Sequence, residues 1–391
     1  MSKKLLILGA GIGGLSVIKE IWESGVSLDD LDITVVDEDF AHFLGFTLPW
    51  VMRGWRDRDS VPIRPSATAL ARVRKVTGTV QAIHPERRTV TLAGRTELGF
   101  DALVIATGAR NAIDAVPGLS DAMAAGTAVH YYTADAATRA NQALRGFTGG
   151  DLVFLVTSQP YRCPVAPYEG SLLAADLLRD NGIRSHTAIS VYSPEKYPMP
   201  SAGPFAGPEL VELLNRHGIA FFGDHAVDRI DPDRRQIHFQ HGGTKVYDLL
   251  VFIPPHEPAV TLDGPGWISV DAITMQTHHP GIFAIGDATA IASPSGRPLP
   301  KAAIFAKNGA RAAARNALHH LGLTESVTAL SGKGYCYVDT GEGNSALGQG
   351  DFFTMPHPAI HLSPPSETLH HDKQDEERDW RAVWEGEHSV A

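Results

Sequence analysis

Cys163 and Cys336 are the only cysteines among 391 residues, and they are where chemistry can begin. A thiolate is a nucleophile and a sulfur leaving group, so two of them can open and re-form a disulfide. The setting of Cys163 is informative. Asp151–Val156 reads as a buried strand, and a helix is predicted from about Glu169 to Arg179. Between them runs Thr157-Ser158-Gln159-Pro160-Tyr161-Arg162-Cys163-Pro164-Val165-Ala166-Pro167-Tyr168. In a strand–turn–helix unit of this kind, a glycine-rich turn would receive a dinucleotide pyrophosphate. Here prolines remove backbone donors and stiffen the turn, so a cysteine loop stands where a nucleotide loop belongs. Cys336 lies in Gly334-Tyr335-Cys336-Tyr337, among aromatic rather than aliphatic neighbours. The competing reading, two unrelated thiols filling apolar core, suits these settings less well. Glu169, six residues after Cys163, could relay protons, although a first-turn acid favoured by the helix dipole is the simpler account. Arg162 and Lys301 are the candidate cations for lowering a thiol pKa.

The elements that must position these residues begin at the N-terminus. Leu5–Leu8 is a short apolar run, Leu15 to Trp22 has helical spacing, and Asp32–Val36 is a second strand. Between the first strand and its helix lies Gly9-Ala10-Gly11-Ile12-Gly13-Gly14. Gly9 makes the tight turn, Gly11 lets backbone N–H groups approach a pyrophosphate, and Gly14 lets helix and strand pack closely. Asp37, 23 residues after Gly14, would accept hydrogen bonds from an adenosine ribose. The irregular segment 41–75 is expected to cover the cofactor. A small β region follows, with strands Val76–Ile83, Thr89–Leu92 and Asp101–Ile105. Val80 in the first is a candidate cofactor contact, and the third runs into the turn Ala106-Thr107-Gly108.

A connector over 111–150 holds a helix from Ala134 to Leu144. The cysteine-loop unit continues through strand His186–Tyr192, helix 207–217, strand 219–222, a hairpin over 226–239 and strand Leu249–Ile253. Gly281–Ala284 is a last strand leading into Gly286-Asp287, and a helix starts near Ala303. The fold class is α/β, with two Rossmann-like dinucleotide-binding domains and a C-terminal region. The expected division is 1–110 and 261–325 for a cofactor domain in two parts, 111–260 for a second unit with a degenerate nucleotide loop, and 326–391 for the C-terminal region.

Composition removes several classes. Hydrophobic residues make up 43% and charged residues 20%, enough apolar surface for a large core without disulfide staples. A formal net charge of −10 disfavours nucleic acid and anionic lipid as partners. No apolar run reaches the ~20 residues of a spanning helix. Met1-Ser2-Lys3-Lys4 leads straight into the first strand, leaving no room for a secretory signal, so a cytoplasmic location is expected. Residues 372–387 carry seven acids and three bases around Trp380 and Trp384. Those tryptophans, spaced i, i+4, would dock on the body or meet a membrane from its inner face, and the acidic surroundings favour docking. Self-association stays open. No histidine spacing forms a convincing metal site; His278-His279, His319-His320 and His370-His371 read as surface pairs.

Three motifs together, Gly9–Gly14 with Asp37, Ala106-Thr107-Gly108, and Ala284-Ile285-Gly286-Asp287, resemble the two-dinucleotide-domain flavoprotein reductases, with a glutathione-reductase-like arrangement. That resemblance implies FAD, with Asp287 on the ribityl chain and the N-terminus of the helix at Ala303 toward the flavin carbonyls, where a reduced flavin carries charge. Within this group the cysteine loop, Pro300-Lys301, the stretch 42–52 and Cys336 resemble the sulfide:quinone oxidoreductases and the flavin subunit of flavocytochrome c sulfide dehydrogenase. In both, two distant cysteines meet beside the flavin. The resemblance implies sulfide as substrate, a quinone as acceptor, and Lys301 near the flavin. A third cysteine present in many sulfide:quinone enzymes is missing. Residues 38–60 contain no cysteine of the kind that tethers FAD in the flavocytochrome subunit, so FAD is expected to be noncovalent. Phe352 and Phe353 would line a quinone pocket or simply pack. Other readings are a soluble acceptor such as a cytochrome, an NADH-dependent reductase, and a flavin redox sensor with little turnover.

Overall fold

A computed structural model describes residues 2–386. Leu5, Leu6, Ile7 and Leu8 are all buried, the pattern of a strand covered on both faces. This strand, Lys3–Leu8, sits at the centre of a five-stranded parallel sheet. Leu31–Asp37 and then Val73–Thr77 lie on one side, Ala102–Ile105 and then Ile282–Ala284 on the other. Parallel neighbours need crossovers. Helices Ile12–Trp22 and Ala303–His320 cover one face and pack on each other. A second parallel sheet has the order Ile219–Phe222, Thr187–Tyr192, Gly150–Val156, Leu249–Ile253, Ala128–Val129. The chain therefore leaves the first sheet, builds the second, and returns to add Ile282–Ala284.

Two expectations are corrected here. The run Val76–Ile83 is not one strand. Val73–Thr77 joins the edge of the first sheet, and Val80–His84 opens an antiparallel sheet with Thr89–Leu92 and Glu97–Gly99. The chain turns off at Gly78, whose N–H donates to Asp37 O at 2.9 Å. The stretch 41–75 is also less irregular than its sequence suggested. It contains helix Leu48–Arg53, buried throughout, which starts with a proline in its first turn and stops at left-handed Gly54.

The C-terminal region is a hairpin, Lys333–Gly341 with Asn344–Asp351, followed by helix Glu367–Glu385. Ser366 caps that helix by accepting from Leu369 N–H. The helix buries His370, Lys373, Glu377, Trp380 and Trp384, a stripe at three- and four-residue intervals. Trp384 is 0% exposed and lies 5.5 Å from Trp22, ring to ring, so the tryptophans dock on the body. His370, expected in a surface pair, is buried because it is part of this stripe. Phe352 packs edge-on against Phe305. Among the described residues no helix is long and apolar enough to cross a membrane. Glu387, counted in the acidic stretch, lies outside the described residues.

Trp384→Ala is expected to cost about 3–5 kcal/mol, while exposed Ala382→Ser stays within about 0.5 kcal/mol. Urea denaturation measures both. Equal midpoints would mean that the helix is not integral to the core.

Candidate active site

A cavity of about 460 Å³ runs from the glycine turn to both cysteines. Gly9, Gly11, Asp37, Ala106, Thr107, Gly108, Gly286, Asp287, Lys301, Ala303, Cys163, Glu169 and Cys336 all line it. Two candidates do not. Gly14 stands behind the turn, where an added Cβ would lie 1.8 Å from Gly9 O, so it serves helix–strand packing. Val80 is carried off by the break at Gly78 and packs in the apolar cluster beneath the antiparallel sheet. Gly9 has φ +96°, and a Cβ there would stand 2.5 Å from Ala106 O.

Asp37 does more than terminate a strand. One carboxylate oxygen accepts from Ala10 N–H at 2.7 Å and the other from Phe40 N–H at 2.9 Å, tying the glycine turn to the loop after the second strand. That loop brings His42 to the cavity, a residue sequence reasoning passed over. Trp380 Nε1–H donates to His42 Nε2 at 2.8 Å, which leaves the ring proton on Nδ1. Burial pushes the His42 pKa down to about 4, so the ring is neutral. Its Nδ1, Thr107 Oγ1 and Arg162 Nε are buried without a partner, and all three residues line the cavity. Unsatisfied polar atoms in a largely apolar wall that also carries charged groups fit a polar cofactor such as FAD.

The sulfur end is built from three elements. Cys163 precedes helix Ala166–Asp180 and has φ +60°, an uncommon left-handed position for a side-chain-bearing residue. Its N–H donates to Lys301 O at 2.7 Å, and a parallel bridge joins Arg162 to Lys301. Cys336 stands in the hairpin opposite Gly348. Both cysteines are free thiols that face the cavity. Burial pushes the Cys163 pKa up to about 12, with Glu169 adding to the rise; Lys373 and the N–H groups of Val165 and Ala166 oppose it. Burial and then Cys163 itself push Cys336 up, and Lys373 again opposes.

The two cations chosen from sequence are engaged elsewhere. Arg162 Nη2–H donates to Asn111 Oδ1 at 3.0 Å, and its guanidinium lies over Tyr132. Lys301 Nζ donates to the carbonyls of Asp287 and Thr289, at 2.8 and 3.0 Å, against the face of Trp267. Burial lowers the Lys301 pKa to about 8, with Asp287 opposing.

The cation that shares the cavity wall with the sulfurs and favours both thiolates is Lys373, from the acidic stretch 372–387. It is 1% exposed and donates to Glu169 Oε1 and, at 2.7 Å, to Asp339 Oδ2. Asp339 also accepts from Trp50 Nε1–H at 2.6 Å, from Ser345 Oγ–H, and from His370 Nδ1 at 2.8 Å. Burial alone would raise the Asp339 pKa, but Lys373 and His370 hold it well below the usual carboxylate range. Glu169 goes the other way: burial raises its pKa to about 8 although Lys373 opposes. Phe352 and Phe353 are not on the cavity. Tyr335, Tyr337, Lys307 and Glu376 are, and Tyr335 O–H donates to Glu376. Asp263, His278 and His279 group three potential metal ligands on the surface, and none of them lines the cavity.

A family model described as pyridine nucleotide-disulphide oxidoreductase matches residues 3–317. The chain belongs to this family. The chain is accordingly an FAD-binding flavoprotein. The chain is similar to the mitochondrial sulfide:quinone oxidoreductase of Mus musculus, 23% identical over 73% of this chain and 65% of that protein. The match thus spans somewhat under two thirds of the mouse relative. It is also similar to the sulfide-quinone reductase of Aquifex aeolicus, 24% identical over 94% of this chain and 86% of the relative. The solved sulfide:quinone oxidoreductase of Aquifex aeolicus shares the fold, with TM-score 0.86, 19% identity, and coverage of 98% of this chain and 92% of that one. A putidaredoxin reductase in complex with putidaredoxin has the same architecture at TM-score 0.65 and 17% identity, covering 98% of this chain and 93% of that one.

Asp339→Asn is expected to cost roughly 3–5 kcal/mol at pH 7, because it breaks a buried pair. The native Asp339 pKa is depressed, so the stability it contributes is present above its unfolded value of about 3.9 and fades as pH falls below that. Denaturation at pH 7 and pH 3 should therefore show a gap between wild type and variant that narrows in acid. A constant gap would contradict the ionised, paired carboxylate.

Proposed function

We propose that the chain is an FAD-dependent enzyme that oxidises sulfide through Cys163 and Cys336 and passes the electrons to a quinone. One observation carries this reading. Both cysteines line the cofactor cavity, and one of them occupies the turn that would otherwise hold a second nucleotide. The relatives named above, whose names specify sulfide and quinone, support it. The prolines at 160, 164 and 167 also weigh against NADH as the electron source.

In the oxidised enzyme the two sulfurs would be joined. Hydrosulfide attacks one of them, the S–S bond breaks, and that cysteine becomes a persulfide while the other leaves as a thiolate. Bound FAD would supply the two-electron acceptor for this thiolate and the relay to the quinone. The chain's own residues do the rest. The first-turn N–H groups of helix Ala166–Asp180 favour a negative sulfur at Cys163. Glu169 takes the persulfide proton, for which a pKa near 8 suits it. Lys301, Asp287 and Gly286 would hold the flavin part of FAD, and Gly9, Gly11, Asp37, Thr107 and His42 its nucleotide part.

Anaerobic sulfide should bleach the flavin absorbance rapidly, and Cys163→Ser or Cys336→Ser should slow this by at least about 10³-fold. Bleaching by NADH but not by sulfide would end the proposal. If Glu169 is the proton acceptor, it must be ionised to act, so the sulfide-driven rate rises with pH through about 8. Glu169→Gln should lower the rate and flatten that rise. A variant with the wild-type pH profile would assign the proton to another group.

A further inference from the structure

The sulfide reading requires a negative sulfur inside a buried site, and the notional cost of such a charge is large unless something compensates it. We propose that Lys373, held by Asp339, is the fixed cation that keeps the sulfur released from the Cys163/Cys336 pair in its anionic form. This rests on the two-cysteine reading but can be examined without sulfide.

The geometry comes from four segments. The helix Glu367–Glu385 carries Lys373 into the wall of the cavity that both cysteines face. An ammonium group has three N–H donors. Glu169 takes one and Asp339 takes another, which leaves one for the cavity side. Asp339, in the hairpin, is saturated by Trp50, Ser345 and His370, so it stays ionised and anchors the ammonium group. The rings of Trp50 and Phe46 lie 5.3 and 5.8 Å from Lys373 Nζ and keep water off it. Lys301 Nζ is taken by two backbone carbonyls, and Arg162 is held through Nη2 by Asn111 and over the Tyr132 ring, with its Nε–H left unpartnered. Lys307 also lines the cavity, but its ammonium group lies over the Trp380 ring, 5.4 Å from the centroid, and the other groups near the sulfurs, Glu169, Tyr131, Tyr132 and Glu376, are neutral or negative.

The arrangement also explains why Glu169 sits on the same cation. Ionised Glu169 and an ionised sulfur compete for Lys373. When the persulfide proton moves to Glu169, the carboxylate charge disappears and the ammonium charge is freed for the sulfur. The site's net charge is unchanged by this step, because the proton moves within it and no electron leaves.

The test is alkylation of the reduced holoenzyme by iodoacetamide as a function of pH, followed by mass spectrometry at Cys163 and Cys336. Alkylation reports the thiolate fraction, so losing the cation should slow it at least about tenfold at fixed pH, equivalent to one pKa unit, and move the profile upward. Lys373→Gln is the primary variant, and Lys373→Arg should recover most of the rate. If Lys373→Gln does not fold, as judged by circular dichroism, the Asp339→Asn/Lys373→Gln pair, neutral at both positions, is measured instead. A folded variant that alkylates at the wild-type rate at both sulfurs overturns the proposal. Because sulfide is absent from the assay, slower alkylation combined with no flavin bleaching by sulfide would reject the sulfide reading while leaving the role of Lys373 in place.

Discussion

Two carboxylates and an ammonium group meet in the interior where helix Ala166–Asp180, the C-terminal hairpin and helix Glu367–Glu385 pack together. Removing one partner from such a set leaves a buried charge unpaired, at a cost of several kcal/mol, so the three elements are held to one mutual register. A shift of the C-terminal helix by one residue would swing Lys373 off its carboxylates and turn Trp380 and Trp384 away from the core. The same stripe that anchors the helix by apolar contact thus delivers its one buried ammonium group to the sulfur end. It also fixes the tautomer of His42 at the cofactor wall.

The second parallel sheet is built like the first, but the turn after its central strand is rich in proline rather than glycine. It is a rigid platform whose turn carries Cys163 and whose following helix carries Glu169. That helix is buried over most of its length, covered by the hairpin on one side and by helix Leu48–Arg53 on another. The turn and the helix after it thus place a sulfur and a carboxylate on the wall of the same cavity as the glycine turn of the first sheet.

The parts legible in sequence were local. Gly9, Gly11, Asp37, Thr107, Gly286 and Asp287 line the cavity within a few residues of a strand end, and periodicity locates the strand ends. Cys163 was legible because it interrupts an expected turn. Lys373, Asp339 and His370 were not, since their pairings join positions 31 to 204 residues apart and each looks ordinary in its own neighbourhood. The spacing 370, 373, 377, 380, 384 was available as a signal. Three polar residues in that stripe concealed it, because a stripe is usually sought by its apolar members. Val80 failed for a related reason: a continuous β pattern gives no sign that the chain changes sheets at Gly78.

The bond from Cys163 N–H to Lys301 O joins the two halves of the molecule by backbone rather than by side chains. Together with the bridge between Arg162 and Lys301, it acts as a staple across the cleft. A hinge opening between the two sheets would have to tear it. Tyr335 and Glu376, hydrogen-bonded to each other in the same cavity wall, can move without breaking it, while the sulfur and the lysine backbone stay tied together.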